Sequence, residues 1–176
     1  MVVLVTGAKG QVGQALQFIA PNHPDVQFVF CDSKELDITN RNNIKQIFEH
    51  FNPNYCINTA AYTAVDKAES EREKAHLING VGAKNLAEVC KEFDTILLHI
   101  STDFVFDGTK DSPYSEEDVP NPTGVYGQTK LDGEKAIQEI WQKHFIIRTS
   151  WVYSQFGNNF MKTMLRLASE RDKLSV

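Results

Sequence analysis

After Met1 the chain reads VVLVTGAKGQVG from Val2 to Gly13. The apolar run at the start of this segment predicts a short buried strand. The three glycines that follow, each three positions after the last, predict a tight turn that opens a helix near Gln11. Such a turn offers free backbone N–H groups to a phosphate without obstruction by side chains. We therefore predict a binding site for the pyrophosphate of a nicotinamide dinucleotide, formed by Gly7, Gly10, Gln11, Val12 and Gly13.

Short apolar runs alternate with longer segments of helical periodicity along the chain, which is typical of a parallel α/β sheet. The runs are nearly all apolar, as in strands that are covered on both faces. The sequence thus predicts a doubly wound, Rossmann-type α/β fold with helices on both faces of the sheet. The predicted strands are Val2–Thr6, Gln27–Cys31, Tyr55–Asn58, 95–101 and 145–149.

Four segments between and after the strands have the periodicity of helices: 44–51, 71–93, 126–140 and 159–169. The segment 107–124 is rich in proline, glycine and aspartate and predicts a long loop, a feature that is often functional. In the last helix, Phe160, Met164, Leu167 and Ala168 share one face. Leu174-Ser175-Val176 resembles the start of another strand, which predicts that the fold continues beyond this sequence.

Composition excludes several classes of protein. The net charge of -5 and the absence of a Lys/Arg cluster argue against a nucleic-acid partner. The apolar runs are too short to span a bilayer, and the N-terminus lacks the pattern of a signal peptide. Cys31, Cys56 and Cys90 match no metal or disulfide spacing, so we expect buried thiols, no metal site and a cytoplasmic location.

Asp32 follows the second predicted strand, 19 residues beyond Gly13. A carboxylate at this distance accepts hydrogen bonds from the ribose diol of a dinucleotide and repels a 2′-phosphate, which favours NADH. Lys9 and Lys34 are close enough in sequence to weaken that preference, so both NADH and NADPH remain expected cofactors. Asp32 also fits an ordinary turn at the end of a strand.

Tyr126 and Lys130 are four positions apart in a predicted helix, which places both side chains on one helical face. An ammonium group beside a phenol favours the phenolate, so we expect Lys130 to lower the pKa of Tyr126. The hydroxyl of Thr102, or that of Ser101, ends a predicted strand where it could orient a carbonyl oxygen while Tyr126 protonates it. A solvated helix face and a turn-capping hydroxyl are the alternatives.

The chain resembles the dTDP-4-dehydrorhamnose reductase family of extended short-chain dehydrogenase/reductases. The GxxGxxG spacing of the first turn is typical of the extended type. The more discriminating matches are NTAAYTAVDKAE at 58–69 and STDFVFDG at 101–108, and their order is also that of the family. Further matches are LDIT at 36–39, VYGQTKLDGEK at 125–135 and RTSWVY at 148–153.

The resemblance implies NAD(P)H-dependent reduction of the 4-keto group of a dTDP-4-keto-6-deoxyhexose. Thr102, Tyr126 and Lys130 would be catalytic, with Tyr126 and Lys130 also contacting the cofactor. Asp103 and Trp151 would contact the sugar, although Trp151 also fits a core position. The cofactor would further contact Asp37, Ile38, Ala61, Tyr62 and Thr63. Family members continue into a smaller C-terminal region, so residues 1–176 would be the NAD(P)-binding domain that carries the catalytic residues.

Two other functions remain open. The same fold serves as the cofactor-binding regulatory subunit of methionine adenosyltransferase, but the joint presence of Thr102, Tyr126, Lys130 and Trp151 favours an enzyme. Nucleotide-sugar epimerases and dehydratases share the Tyr/Lys pair. Dehydratases usually have Asp-Glu after the catalytic Thr, and the chain has Asp103-Phe104 instead. A homodimer is also left open.

Overall fold

The computed structural model describes residues 1–171 and 173. Five parallel strands form a single sheet in the order β2-β1-β3-β4-β5. The predicted α/β class and all five strands are confirmed, with β4 shifted by one residue and β5 beginning one residue earlier than predicted. Residues 174–176, where a further strand was predicted, lie outside the described residues. The strands are β1 (Val2–Thr6), β2 (Gln27–Cys31), β3 (Tyr55–Asn58), β4 (Ile96–Thr102) and β5 (His144–Thr149).

Seven α-helices connect and follow these strands within the described residues: α1 (Gln11–Ile19), α2 (Arg41–Phe51), α3 (Val65–Ala68), α4 (Arg72–His76), α5 (Gly82–Glu92), α6 (Val125–Ile140) and α7 (Phe160–Glu170). Side chains of Asn40 and Asn159 cap α2 and α7 by accepting hydrogen bonds from backbone N–H groups of the first turn. The long loop predicted over 107–124 contains no helix or strand. It is held together by Asp107, which accepts hydrogen bonds from Thr109, Tyr114 and Asn121.

Crossover connections between parallel strands are right-handed, so the direction of each step decides which face its helix covers. The chain steps from β1 to β2 in one direction and then from β2 through β3 and β4 to β5 in the other. This topology places α1 on one face of the sheet, and α2, α5 and α6 on the other. The main apolar core lies under the latter helices and includes Leu4, Phe48, Leu86, Leu97 and Ile137.

The segment 71–93 is not one regular helix. It consists of α4, a π-helical turn at Leu77–Val81, and α5. The side chain of Asn79 in this turn accepts a hydrogen bond from the backbone N–H of Tyr62 at 2.9 Å and donates to Tyr62 O and to the Thr129 hydroxyl. The irregular turn therefore joins α6 to the segment that follows β3.

Several apolar side chains of β5 and α7 lie at the surface. Phe145 and Ile147 on β5 are 61% and 44% exposed, because these alternate residues point away from α6. In α7 no residue is buried, and Phe160 on the predicted apolar face is 47% exposed. Helices cover both faces of the sheet, as predicted, but Phe145 and Ile147 of β5 remain exposed. No helix among the described residues has the length and apolar character needed to cross a membrane.

Gly133 on α6 gives a test of the helix packing. Alanine normally stabilises a helix relative to glycine by about 1 kcal/mol. Here a Cβ would lie 2.3 Å from the carbonyl oxygen of Asn79, so we expect Gly133→Ala to destabilise the chain by about 1–3 kcal/mol instead. Urea denaturation would measure the change, with Lys135→Ala on the exposed side of the same helix as the control. Stabilisation by Gly133→Ala would contradict the close approach of the two backbones.

Candidate active site

The glycine turn lies against the end of β3. Gly7 has a φ of 68°, and a Cβ on it would lie 2.7 Å from the backbone nitrogen of Ala60. A Cβ on Gly13 would lie 2.5 Å from the carbonyl oxygen of Gly7. Gly10 precedes α1 and caps it without a side-chain hydrogen bond. The turn therefore brings the open N-terminus of α1 to the point between β1 and β3 where the strand order reverses, the usual ligand site of such sheets.

A cleft runs along the carboxyl edge of the sheet on both sides of this turn. One part has a volume of about 310 Å³ and the other about 510 Å³, and the two parts adjoin at Lys9, Gly10, Thr59 and Ala61, which line both. The smaller part contains Gly7, Asp32, Asp37 and Ile38 among its lining residues. The larger part contains eight further predicted site residues: Gln11, Val12, Thr63, Thr102, Asp103, Tyr126, Lys130 and Trp151.

Two predicted cofactor residues do not line the cleft. Gly13 is buried behind the turn, where its missing side chain permits the close contact described above. Tyr62 is 8% exposed and packs with Ala68 and Ala75, while its hydroxyl donates a hydrogen bond to Glu71 at 3.3 Å. The structure thus gives Tyr62 a packing position beside the site, whereas its neighbours Ala61 and Thr63 face the cleft.

Asp32 forms an ion pair with Lys9 at the smaller end of the cleft. The carboxylate also accepts a hydrogen bond from the backbone N–H of Lys34 at 2.7 Å. The hydrogen bond from Lys9 lowers the pKa of Asp32 and raises the pKa of Lys9, so both groups are charged at neutral pH. The Asp32 side chain is 12% exposed and the Lys9 side chain 78% exposed, so the carboxylate is the buried partner of the pair.

Asp37 does not cap a helix, and Trp151 does not lie in the core. The cap of α2 is Asn40, and Asp37 instead accepts hydrogen bonds from the backbone N–H and the hydroxyl of Thr39. Trp151 is not a core residue, because it is 71% exposed and packs edge-on against Phe160. It has a φ of 51° and lies at the mouth of the larger part of the cleft.

Thr102 ends β4, and its hydroxyl differs from that of Ser101 in what it contacts. Ser101 Oγ donates to the buried carboxylate of Glu134 at 2.5 Å, and Arg148 pairs with the same carboxylate at 2.7 Å. Thr102 Oγ1 accepts a hydrogen bond from the backbone N–H of Phe104 and donates to Asp103 at 3.1 Å. Ser101 is therefore held by a structural ion pair, and Thr102 is the hydroxyl beside Tyr126.

Tyr126 begins α6 together with Val125 and packs edge-on against Phe104, with ring centroids 5.6 Å apart. Burial raises the pKa of its phenol, hydrogen bonding with Thr102 opposes the rise, and the negative charge of Asp103 adds to it. The prediction that Lys130 lowers the pKa of Tyr126 is therefore wrong for this structure. The phenol holds its proton at neutral pH.

Lys130 is 2% exposed, and its ammonium end points toward β4. Nζ donates to the carbonyl oxygen of Ile100 at 2.7 Å and lies 3.2 Å from Nε2 of His99. Burial lowers the pKa of Lys130 to about 8, against the opposing charge of Glu134. These contacts hold the ammonium end of Lys130 at β4.

Sequence reasoning missed His99 and Asn58, two buried polar residues that connect Lys130 to β1. His99 lies inside β4 and Asn58 ends β3, and the presence of a polar residue in each of these largely apolar strands was the available signal. Thr149 and Val152, which also line the cleft, carried no signal of their own.

Among residues 1–171 and 173 there is no group of three His, Cys, Asp or Glu side chains placed to bind a metal ion.

The family model described as the RmlD substrate binding domain matches residues 1–176. The chain belongs to this family. The dTDP-4-dehydrorhamnose reductase of Escherichia coli K12 is 47% identical to it over all of the chain and 60% of that protein. The spore coat polysaccharide biosynthesis protein SpsK of Bacillus subtilis is 40% identical over 99% of the chain and 61% of that protein.

Solved structures of other proteins also resemble this chain in fold. The dTDP-4-dehydrorhamnose reductase of Bacillus anthracis, in complex with NADP, is 44% identical with a TM-score of 0.95, covering 99% of this chain and 62% of that one. A UDP-glucose 4-epimerase of Thermus thermophilus, 19% identical with a TM-score of 0.82, shares the fold. The chain spans about 60% of the length of the curated RmlD-family relatives cited above.

The charge of Asp103 provides a test of the electrostatics around Tyr126. Replacing the carboxylate with the neutral amide in Asp103→Asn removes a negative charge that disfavours the phenolate, so we expect the pKa of Tyr126 to fall. Ultraviolet absorbance titration would follow phenolate formation, and the difference from Tyr126→Phe would isolate this residue. Asp111→Asn, in the exposed loop, is the matched control. An unchanged titration in Asp103→Asn would show that the two groups do not interact.

Proposed function

We propose that this chain is the cofactor-binding and catalytic part of an NAD(P)H-dependent dTDP-4-dehydrorhamnose reductase. The observation that carries the proposal is the cleft, which has the glycine turn at its centre and Thr102, Tyr126 and Lys130 at one end. The names of the relatives in the same family support this substrate and reaction. The product would be dTDP-L-rhamnose, a donor of rhamnose for surface polysaccharides.

The residues of the cleft fit a nicotinamide dinucleotide. Cβ atoms at Gly7 and Gly13 would collide with neighbouring backbone, so a side chain at either position would distort the turn that cradles the pyrophosphate. Asp32 and Lys9 lie where the adenosine ribose would bind. Thr102 and Tyr126 lie at the other end of the cleft, where the nicotinamide would supply a hydride to the carbonyl carbon of the sugar.

Tyr126 is suited to donate a proton in the direction of reduction. Its raised pKa keeps the phenol protonated at neutral pH, and the phenol can pass this proton to the O4 oxygen of the sugar as the carbonyl is reduced. The hydroxyl of Thr102 is in position to orient the same oxygen. Asp103 and Trp151, both beside Thr102 in the cleft lining, are the residues that we assign to the sugar.

Replacement of Tyr126 tests the proton donor. Tyr126→Phe keeps the ring and its contact with Phe104 but removes the hydroxyl, so kcat should fall by about 100-fold or more while NADPH binding stays near that of the wild type. The assay is oxidation of NADH or NADPH with the dTDP-4-keto sugar. It should be run on this chain and on a chain extended to the full length of the relatives. Tyr55→Phe, at the start of β3 and therefore at the opposite edge of the sheet, is the matched control.

Two outcomes would contradict the proposal. Full activity of Tyr126→Phe would remove Tyr126 from the chemistry. An extended chain that binds NADPH, reduces no 4-keto nucleotide-sugar and alters the kinetics of a methionine adenosyltransferase would indicate a regulatory subunit instead. A homodimer and a cytoplasmic location remain predictions; the three cysteines, all free and buried, are compatible with a reducing compartment.

The Lys9–Asp32 pair predicts opposite effects on the two cofactors. Asp32→Ala should weaken NADH relative to NADPH, because the ribose diol loses its acceptor. Lys9→Met should weaken NADPH relative to NADH, because a 2′-phosphate loses its nearest cation. Each charge-assisted contact is worth about 1.5–3 kcal/mol, or roughly tenfold or more in Kd. Calorimetric titration with both cofactors measures the ratio of the Kd for NADH to the Kd for NADPH. If this ratio in both variants equals that of the wild type, neither residue contacts the ribose.

A further inference from the structure

Three buried polar residues form a row across the central strands, on the face covered by α6. Thr6 on β1 pairs in register with Asn58 on β3, which in turn pairs in register with His99 on β4. Their side chains are almost fully buried, with 0%, 1% and 1% of each residue exposed. The row ends at Lys130 of α6, whose Nζ lies 3.2 Å from His99 Nε2.

The backbone fixes the orientation of the Asn58 amide. Oδ1 of Asn58 accepts a hydrogen bond from the hydroxyl of Thr6 at 2.6 Å and from the backbone N–H of Ala60 at 3.2 Å. A backbone N–H can only donate, so the amide oxygen must face Ala60. The amide nitrogen Nδ2 consequently faces His99 Nδ1, at 2.9 Å, and donates to it.

This donation in turn fixes the tautomer of His99. Burial and the neighbouring Lys130 hold the pKa of His99 well below its usual value, so the ring is neutral. Because Nδ1 accepts a hydrogen bond, the single ring proton must lie on Nε2, which points at Lys130 Nζ. An ammonium group at this position would face another donor. A neutral amine would accept the Nε2–H with its lone pair and still donate to Ile100 O at 2.7 Å.

We propose that His99, oriented by Asn58, is a positioning residue that disfavours the ammonium form of Lys130 and directs the lone pair of its amine toward β4. Lys130 thereby becomes a group that gains and loses a proton, in place of a permanent cation. The importance of this for catalysis rests on the proposed function. The hydrogen-bond pattern itself does not depend on that function.

Other charged groups near Lys130 act in the opposite direction or are already paired. Glu134, one turn further along α6, favours the ammonium form, but its carboxylate is bound by Arg148 from β5 and by Ser101 from β4. Asp103 acts on Tyr126, which is also on α6. His76 and Asp132 pair on the exposed side of the helix, where the side chains are 54% and 34% exposed. Among these neighbours, His99 is therefore the one whose hydrogen-bond geometry favours the neutral amine of Lys130.

Asn58→Asp keeps the shape of the side chain and replaces the donor that faces His99 Nδ1 with an acceptor. It also adds a negative charge that itself favours the ammonium form of Lys130, so His99→Gln, which adds no charge, is the decisive variant. A carboxylate facing His99 Nδ1 accepts a hydrogen bond from Nδ1–H, so the single ring proton moves to Nδ1. Nε2 then carries no hydrogen and can accept a hydrogen bond from an ammonium group. We expect the pKa of Lys130, about 8 in the wild type, to rise by about one pH unit or more. Nuclear magnetic resonance of isotope-labelled lysine would follow the titration, with Lys130→Arg used to assign the signal.

Two further variants complete the test. His99→Gln provides an amide that can turn its oxygen toward Lys130, so the pKa of Lys130 should rise here as well. Thr6→Val is the matched control, since it removes a hydroxyl from the same row but leaves the Ala60 N–H to orient Asn58. Its titration should match that of the wild type. If Asn58→Asp does not fold, His99→Gln decides the outcome.

An unchanged or lower pKa of Lys130 in the folded variants would overturn the proposal. So would a wild-type Lys130 that titrates in the ordinary lysine range. The measurement requires neither substrate nor turnover, so failure of the reductase assay leaves it unaffected. In an active reductase, Lys130→Arg identifies the limb of the kcat pH profile that depends on Lys130, because it abolishes that limb. In Asn58→Asp and His99→Gln, the same limb should move in the direction in which the pKa of Lys130 moves.

Discussion

The geometry of the cleft depends on a close backbone contact between Gly7 and the residues that follow β3. No side chain fits between Gly7 and Thr59–Ala60, so the first turn and the end of the third strand are in direct contact. This contact places the N-terminus of α1 at the centre of the carboxyl edge of the sheet. The ribose-binding candidates then lie on one side of the turn and the catalytic candidates on the other, along one cleft. Everything proposed for the cofactor depends on that geometry.

Features encoded by local sequence could be predicted well. The strands were correct because each is a short apolar run bounded by turn residues, and the glycine turn was correct because its spacing has few structural solutions. The positions of Thr102, Tyr126 and Lys130 along one cleft follow from the same logic. A strand end and the first turn of the next helix meet at the same edge of a parallel sheet.

Features determined by contacts between distant segments could not be predicted. The spacing of Tyr126 and Lys130 indicates a shared helical face, yet Lys130 Nζ turns to Ile100 and His99 on β4. The π-helical turn at Leu77–Val81 depends on the bonds of Asn79 to Tyr62 and Thr129. The exposure of Phe145 depends on which helices cover β5. None of these follows from periodicity, because each depends on a partner elsewhere in the chain.

The polar row across β1, β3 and β4 also has a consequence for folding. Strands of almost uniform apolar character can pair in several registers at little cost, because one apolar side chain replaces another. Thr6, Asn58 and His99 satisfy one another only when each lies directly opposite the next. A slip of any strand would leave buried donors and acceptors unpaired, at about 1–3 kcal/mol for each group. The row therefore selects a single alignment of the three central strands during assembly of the sheet.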